Sequence, residues 1–193
     1  MAIAPMVGWP AAGVPREALF FHPIAVRCRM DLDNMKELFV HELKDLHDAE
    51  NQILKALPKM AKKATHEELR TAFQEHERQT EEHVRRLERV LDELGEKPGG
   101  VKCKGIRGII AEGEESMKKP DDDDVRDAAM IAAAQRVEHY EMAGYGTART
   151  YARMLGFEDT ARILQQTLDE EGATDKRLTR LAESRVNPDA LRA

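Results

Sequence analysis

Four stretches of this chain repeat apolar residues at spacings of three and four, and each apolar stripe is interrupted by a carboxylate or an imidazole. The interruptions are Glu50 in the first stripe, His76 in the second, Glu138 with Glu141 in the third, and Glu170 with Glu171 in the fourth. The periodicity predicts long amphipathic helices. Burying one unpaired carboxylate in an apolar core costs on the order of several kcal/mol, a large part of a small domain's stability. Several of them on converging stripes therefore call for a shared partner, and a pair of divalent metal ions is the simplest one.

Composition narrows the fold. At 193 residues, 41% hydrophobic and 34% charged, the chain can bury one sizeable core and is too charged for a membrane protein. Aromatics supply only 5% while Ala, Leu, Glu, Lys and Arg dominate, which favours an all-α bundle over any sheet. A formal charge of -6 speaks against nucleic-acid binding, and the run Arg85, Arg86 and Arg89 reads as a solvated helix face. Cys28 and Cys103 have neither metal-finger spacing nor the number for a disulfide framework, so a reducing cytoplasm is the expected location.

Residues 1–30 differ in texture. They hold Pro5, Pro10, Pro15 and Pro23, the single Trp, and no sustained helical period. The prolines and Arg16 break up any secretory apolar run, so the segment is expected to be a disordered extension or a misassigned start ahead of Met30 or Met35. Residues 31–193 are expected to form one bundle domain.

The first helix should start at an Asp33 cap and run to about Ala64, with Pro58 kinking it near its end. Its face is Met35, Leu38, Phe39, Leu46, Ala49, Ile53, Leu57 and Ala61, with Glu42 and Glu50 inside it. Thr65-His66-Glu67-Glu68 has the pattern of a capping box that opens the second helix, which ends at Gly95 and presents Leu69, Phe73, His76, Thr80, Val84, Leu87 and Leu91. From Gly95 to Asp124 the pattern weakens, with room for one short helix around Ile106 to Met117. This connection far exceeds the roughly two to eight residues usual between antiparallel neighbours, so it reads as a crossover along the bundle. Asp121 to Asp124 should cap the third long helix, closed by Gly156, and the fourth should run from about Glu158 until Asn187-Pro188 stops it. Offsets of 91 and 94 set Glu50 on Glu141 and Thr80 on Thr174, as if one helical hairpin were used twice.

The site residues follow from face geometry. Residues three apart on a helix lie about 5–6 Å from one another, so Glu138 and Glu141 can address one point, and their Ala-rich surroundings mark the most buried helix. Glu50 has Leu46 and Leu54 one turn to either side and hence no cation there. His76 is either a ligand or a core imidazole bonded to a buried carboxylate. Glu170 and Glu171 point about 100° apart, so one of them reaches the centre: the internal repeat favours Glu170, the spacing from Leu164 and Leu168 favours Glu171. Glu42 is a weaker candidate. His47, His83 and His139 fall beside the stripes and are expected in solvent, and Tyr140 and Tyr145 are expected to pack.

The strings HELKDLHDAENQILKALPKMAKKAT, AAAQRVEHYEMAGYGTARTYARMLG and LQQTLDEEGATDKRLTRLAE resemble the YciE/YciF family of bacterial ferritin-like proteins over about residues 34 to 188. The resemblance implies a ferritin-like antiparallel four-helix bundle with one long crossover between the second and third helices, carrying a short extra helix. It further implies a bacterial stress context and a di-iron or similar carboxylate centre. The positions it points to are Glu50, His76, Glu138, Glu141 and Glu170 or Glu171. Two departures stand out. Ferritin-like sites use Glu-x-x-His pairs that this chain lacks around His76 and Glu170, and His47 stands where the family pattern suggests Tyr, which could supply an imidazole. The resulting expectation is a metal-binding protein, iron first with manganese or zinc as alternatives, possessing oxygen or peroxide chemistry and forming a homodimer. The alternative is a structural or interaction bundle that has lost redox activity.

Overall fold

The computed structural model describes residues 33–193, so the expectations for residues 1–30 and for Cys28 lie outside the described residues. Helices α1 (Met35–Lys63), α2 (Glu67–Glu93), α3 (Lys104–Ser116), α4 (Asp123–Met154) and α5 (Glu158–Leu181) follow one another, with a π-turn at Ala182–Val186 and a last short helix, α6 (Asn187–Ala190). Helices α1 with α2 and α4 with α5 form two hairpins that pack α1 on α4 and α2 on α5, while α3 lies along α4 and α1. This is the four-helix bundle with a long crossover and a short extra helix. Gly95 and Gly156 end α2 and α4 at φ of 74° and 80°, a left-handed conformation that glycine adopts without strain.

Three boundaries differ from expectation. Asn34, not Asp33, caps α1, its side-chain oxygen accepting the Glu37 N–H at 3.0 Å. The Thr65 capping box does not form. Instead the backbone N–H groups of Thr65 and His66 donate to the carboxylate of Asp127 on α4, at 2.7–3.1 Å, so Asp127 takes the Thr65 N–H that the box would assign to Glu68. Asn187-Pro188 does not stop the chain: the π-turn at Ala182–Val186 precedes it, and Pro188 sits in the first turn of α6, where its missing N–H costs nothing.

The interior has three layers. One apolar core gathers Ile53, Leu57, Leu69, Phe73, Ile131, Ala134 and Leu178 with Ile106 of the crossover. A second gathers Phe39, Leu43, Leu46, Leu87, Leu91, Tyr145, Ala148 and Leu164. Between them the helices bury Glu50, His76, Thr80, His83, Glu138, Glu141, Thr167 and Glu171, all at most 3% exposed. No helix among the described residues is long and apolar enough to cross a membrane.

Candidate metal centre

Each long helix carries its polar residues to this belt by continuing its apolar register. On α5 the buried series Leu164, Thr167, Glu171, Leu178 steps by three, four and seven, so Glu171 faces inward and Glu170 is turned aside. On α2 the series is His76, Thr80, His83, Leu87. His83 is therefore in the belt, 1% exposed, while Val84, assigned to the stripe from sequence, is only half-buried. The expectation of a solvated His83 is corrected on this point.

Two groups of ligand atoms come together, each with all its members within 4.8 Å of one another. One consists of His76, Glu138, Glu141 and Glu171, the other of Glu50, His83 and Glu171. Glu171 belongs to both. His76 Nε2 lies 3.3 Å from Glu138 Oε1, and His83 Nδ1 lies 2.9 Å from Glu171 Oε1 and 3.4 Å from Glu50 Oε1. The Tyr145 hydroxyl donates to Glu50 Oε1, so this tyrosine does more than pack.

Glu170 lies outside both groups. Its carboxylate accepts from Arg86 Nη1 at 2.6 Å and Nη2 at 3.1 Å, from Gln166 at 3.0 Å, and lies 2.9 Å from His83 Nε2. It orients the far side of the His83 ring, as outer carboxylates do for ligating histidines. Arg86 is thus tucked against α5, whereas Arg85 and Arg89 remain on the solvated face. Glu42 and His47 also stand outside the groups, His47 beside Glu88 and Asn51, and His139 is exposed near Asp175.

The electrostatics are those of crowded carboxylates. Burial, reinforced by Glu171 and Glu50, holds Glu138 well above the usual carboxylate range, and burial with Glu50 and Glu171 does the same to Glu141. Burial alone would lower the His83 imidazole, but its contacts with Glu171 and Glu50 raise it to about 10. The same histidine, with His76, outweighs burial at Glu171 and holds that carboxyl low. Glu170, despite partial burial, is brought down to about 2, chiefly by Arg86.

Hydrogen bonding leaves much of the set unsatisfied. Among the described residues, Glu50 Oε2, both ring nitrogens of His76, Thr80 Oγ1, His83 Nδ1, Glu138 Oε2 and both oxygens of Glu141 and Glu171 have no hydrogen-bond partner of acceptable geometry. Short contacts such as His83 Nδ1 to Glu171 are close but misdirected. So many buried polar atoms without partners in one place are unusual for a protein interior. Two divalent cations carry the formal charge of four carboxylates, so ions entering the belt would displace the protons that Glu138, Glu141 and His83 otherwise hold. Hard oxygens with one imidazole per group suit iron, manganese or zinc.

The signal for His83 was present in the sequence. Thr80-Glu81-Glu82-His83 has the spacing of Glu-x-x-His with Thr in the Glu place, and Glu171-Gly172-Ala173-Thr174 has Thr in the His place.

A four-helix bundle with a crossover helix and a buried carboxylate–imidazole belt defines the class as ferritin-like. Residues 34–191 match the family described as Domain of unknown function (DUF892), and the chain belongs to that family. Protein YciF of Escherichia coli (strain K12) is 41% identical over 162 residues, covering 83% of this chain and 98% of that protein. The crystal structure of the E. coli stress protein YciF superposes with a TM-score of 0.77, covering 81% of this chain and 99% of that one. YcfI of Rhodopseudomonas palustris, described as a candidate structural protein, is 43% identical with a TM-score of 0.76, covering 77% of this chain and 95% of that one. A Xanthomonas campestris protein, 19% identical with a TM-score of 0.67, covers 82% and 98% and shares the fold.

Proposed function

We propose that this chain is a ferritin-like metal-binding protein whose belt holds a pair of divalent ions, iron first, with manganese or zinc as alternatives. The observation that supports it is the pair of ligand groups that share Glu171 and whose buried atoms lack partners. His76, Glu138, Glu141 and Glu171 would hold one ion, and Glu50, His83 and Glu171 the other. The ions would supply redox chemistry toward oxygen or peroxide in a bacterial stress setting, the setting that the name of the E. coli relative suggests. Tyr145 would fix the orientation of Glu50, and Glu170 that of His83. We place the protein in the cytoplasm as a homodimer without nucleic-acid partners; sedimentation as a concentration-independent monomer would refute the dimer.

The test is anaerobic reconstitution with Fe(II) or Mn(II), desalting and elemental analysis. Two ions per chain in the wild type, and fewer in Glu171→Ala, are expected. No retained metal in the wild type would overturn the reading.

The alternative, a structural or interaction bundle without redox activity, is favoured by Thr80 and Thr174 standing where ferritin-like motifs place a Glu and a His. It predicts no oxygen- or peroxide-dependent turnover. Turnover lost in a Glu138→Ala, Glu141→Ala double variant would exclude it.

A further inference from the structure

On α2, His76, Thr80, His83 and Leu87 share one buried face. Thr80 is 0% exposed and stands one helical turn from each imidazole, a spacing that brings side chains to about 5–6 Å. A threonine inside a helix readily turns its hydroxyl back to the carbonyl four residues earlier, as Thr150 does to Gly146 at 2.8 Å and Thr174 to Glu170 at 3.2 Å. Thr167, also in the belt, accepts from Arg86 Nη1 at 3.1 Å. Thr80 Oγ1 has no hydrogen-bond partner among the described residues, so even the surrounding carboxylates leave its hydrogen unused. A buried hydroxyl without a partner costs stability, and Val has the same shape without that cost, so packing does not account for Thr at this position.

The donor set indicates what kind of partner suits it. Di-metal bundles of this class draw on one Glu from each of two helices and a Glu-x-x-His pair from each of the other two. The belt reaches the same total of four carboxylates and two imidazoles without Thr80, through Glu50, Glu138, Glu141, Glu171, His76 and His83. Thr80, three residues before His83, therefore occupies the place of a metal-directed carboxylate, yet a neutral alcohol is a poor substitute for one at a hard divalent ion. What it offers instead is an O–H donor, and donors bond most strongly to ionised acceptors. The group that contains His83 has three protein donors against four in the other, and an ion held by three keeps a position for an outside ligand.

We infer that the Thr80 hydroxyl is a binding group for a small monoanion taken up at the Glu50, His83 and Glu171 side of the belt, to which it donates a hydrogen bond. The inference rests on the metal-centre reading above and names the class of outside ligand which that centre takes. Azide is the probe. Calorimetric titration of azide into wild-type protein reconstituted anaerobically with Fe(II) should show binding that the metal-free protein lacks. Thr80→Val keeps the shape and removes the O–H; it should bind azide about tenfold more weakly, the loss of one hydrogen bond to a charged group. Its iron count should equal that of the wild type, and its metal-free form should melt no lower. Thr80→Ser keeps the hydroxyl and should bind azide as the wild type does. Should Thr80→Val fail to fold, Thr80→Ala carries the same comparison with Thr80→Ser.

Equal azide affinity in Thr80→Val and the wild type would overturn the inference. So would loss of iron in Thr80→Val, which would make Thr80 a ligand or a scaffold residue. An iron-loaded wild type that takes up no azide overturns it too, while leaving the metal centre standing. If the wild type retains no iron, the metal-centre reading itself fails, and this inference falls with it.

Discussion

Two clusters of imidazole and carboxylate among the described residues are built on opposite plans. At one end of the bundle, Asp127 of α4 accepts from the N–H groups of Thr65 and His66 and lies 2.9 Å from His66 Nδ1, while His66 Nε2 lies 3.1 Å from Asp189 of α6. Every polar atom of Asp127 is engaged, although the residue is 0% exposed. In the central belt the acids outnumber the bases and most oxygens have no donor. A charge group that is complete in itself fastens elements together; one that is incomplete leaves buried atoms open to a ligand, as the metal-centre proposal requires.

The largest effect expected from this contrast is in the complete cluster. Asp127→Ala strips three N–H groups of their acceptor and should cost about 3–5 kcal/mol, as breaking a buried charged network does. Denaturation in chelator and with added Fe(II) should show the same loss. A loss that metal restores would erase the distinction between the clusters.

Glu141→Leu should act in the opposite sense. Replacing a crowded, unbonded carboxylate by an apolar residue of similar volume should leave the metal-free fold unchanged or more stable, by up to about 1–4 kcal/mol, while metal retention falls. Thermal melts with and without metal measure both halves. Equal destabilisation in both conditions would make Glu141 a scaffold residue.

The third test is pH. Burial would lower the His66 imidazole, but Asp189 and Asp127, with Asp124 nearby, outweigh it and raise His66 above 6.5. A raised folded value means that the imidazolium stabilises the fold fully below pH 6.5 and that this contribution disappears as pH climbs through the higher folded value. Stability of the metal-free protein should therefore fall over the range just above pH 6.5, where His83, raised to about 10, acts in the same direction, and His66→Asn should reduce that slope without abolishing it. An unchanged slope in the variant would assign it to another group.

The smallest effect separates neighbours. Glu170→Ala loses a partly exposed pair with Arg86 and should cost roughly 1 kcal/mol while keeping the wild-type metal count. Glu171→Ala should lose metal. The reverse pattern would show that the internal repeat, not the apolar register, identifies the inward residue.

Much of this was legible in the sequence, because long helices write their buried face at a regular period. Glu50, Glu138 and Glu141 could be placed in the belt from the stripes alone. His83 could not, because an ideal helix drifts around its axis and the step after Thr80 can be three or four; packing against α5 chose three and brought in His83 instead of Val84. Glu170 and Glu171 stood unresolved for the same reason. The Thr65 box failed because its competitor, Asp127, is distant in sequence, and no local pattern shows an acceptor carried in by another helix.

The three-layer interior also works as a mechanical lock. Every long helix spans both apolar cores with its belt residues in between: Leu46, Glu50 and Ile53 on α1; Phe73, His83 and Leu87 on α2; Ala134, Glu141 and Tyr145 on α4; Leu164, Glu171 and Leu178 on α5. A slip of one turn, about 5.4 Å, along any helix would misplace side chains in both cores at once. The carboxylates are thereby indexed from two sides like marks on a vernier. Any ion the belt takes up would then be selected by distances the cores enforce, and on the metal-centre proposal a mutation in either core far from the belt should retune metal preference before it unfolds the protein.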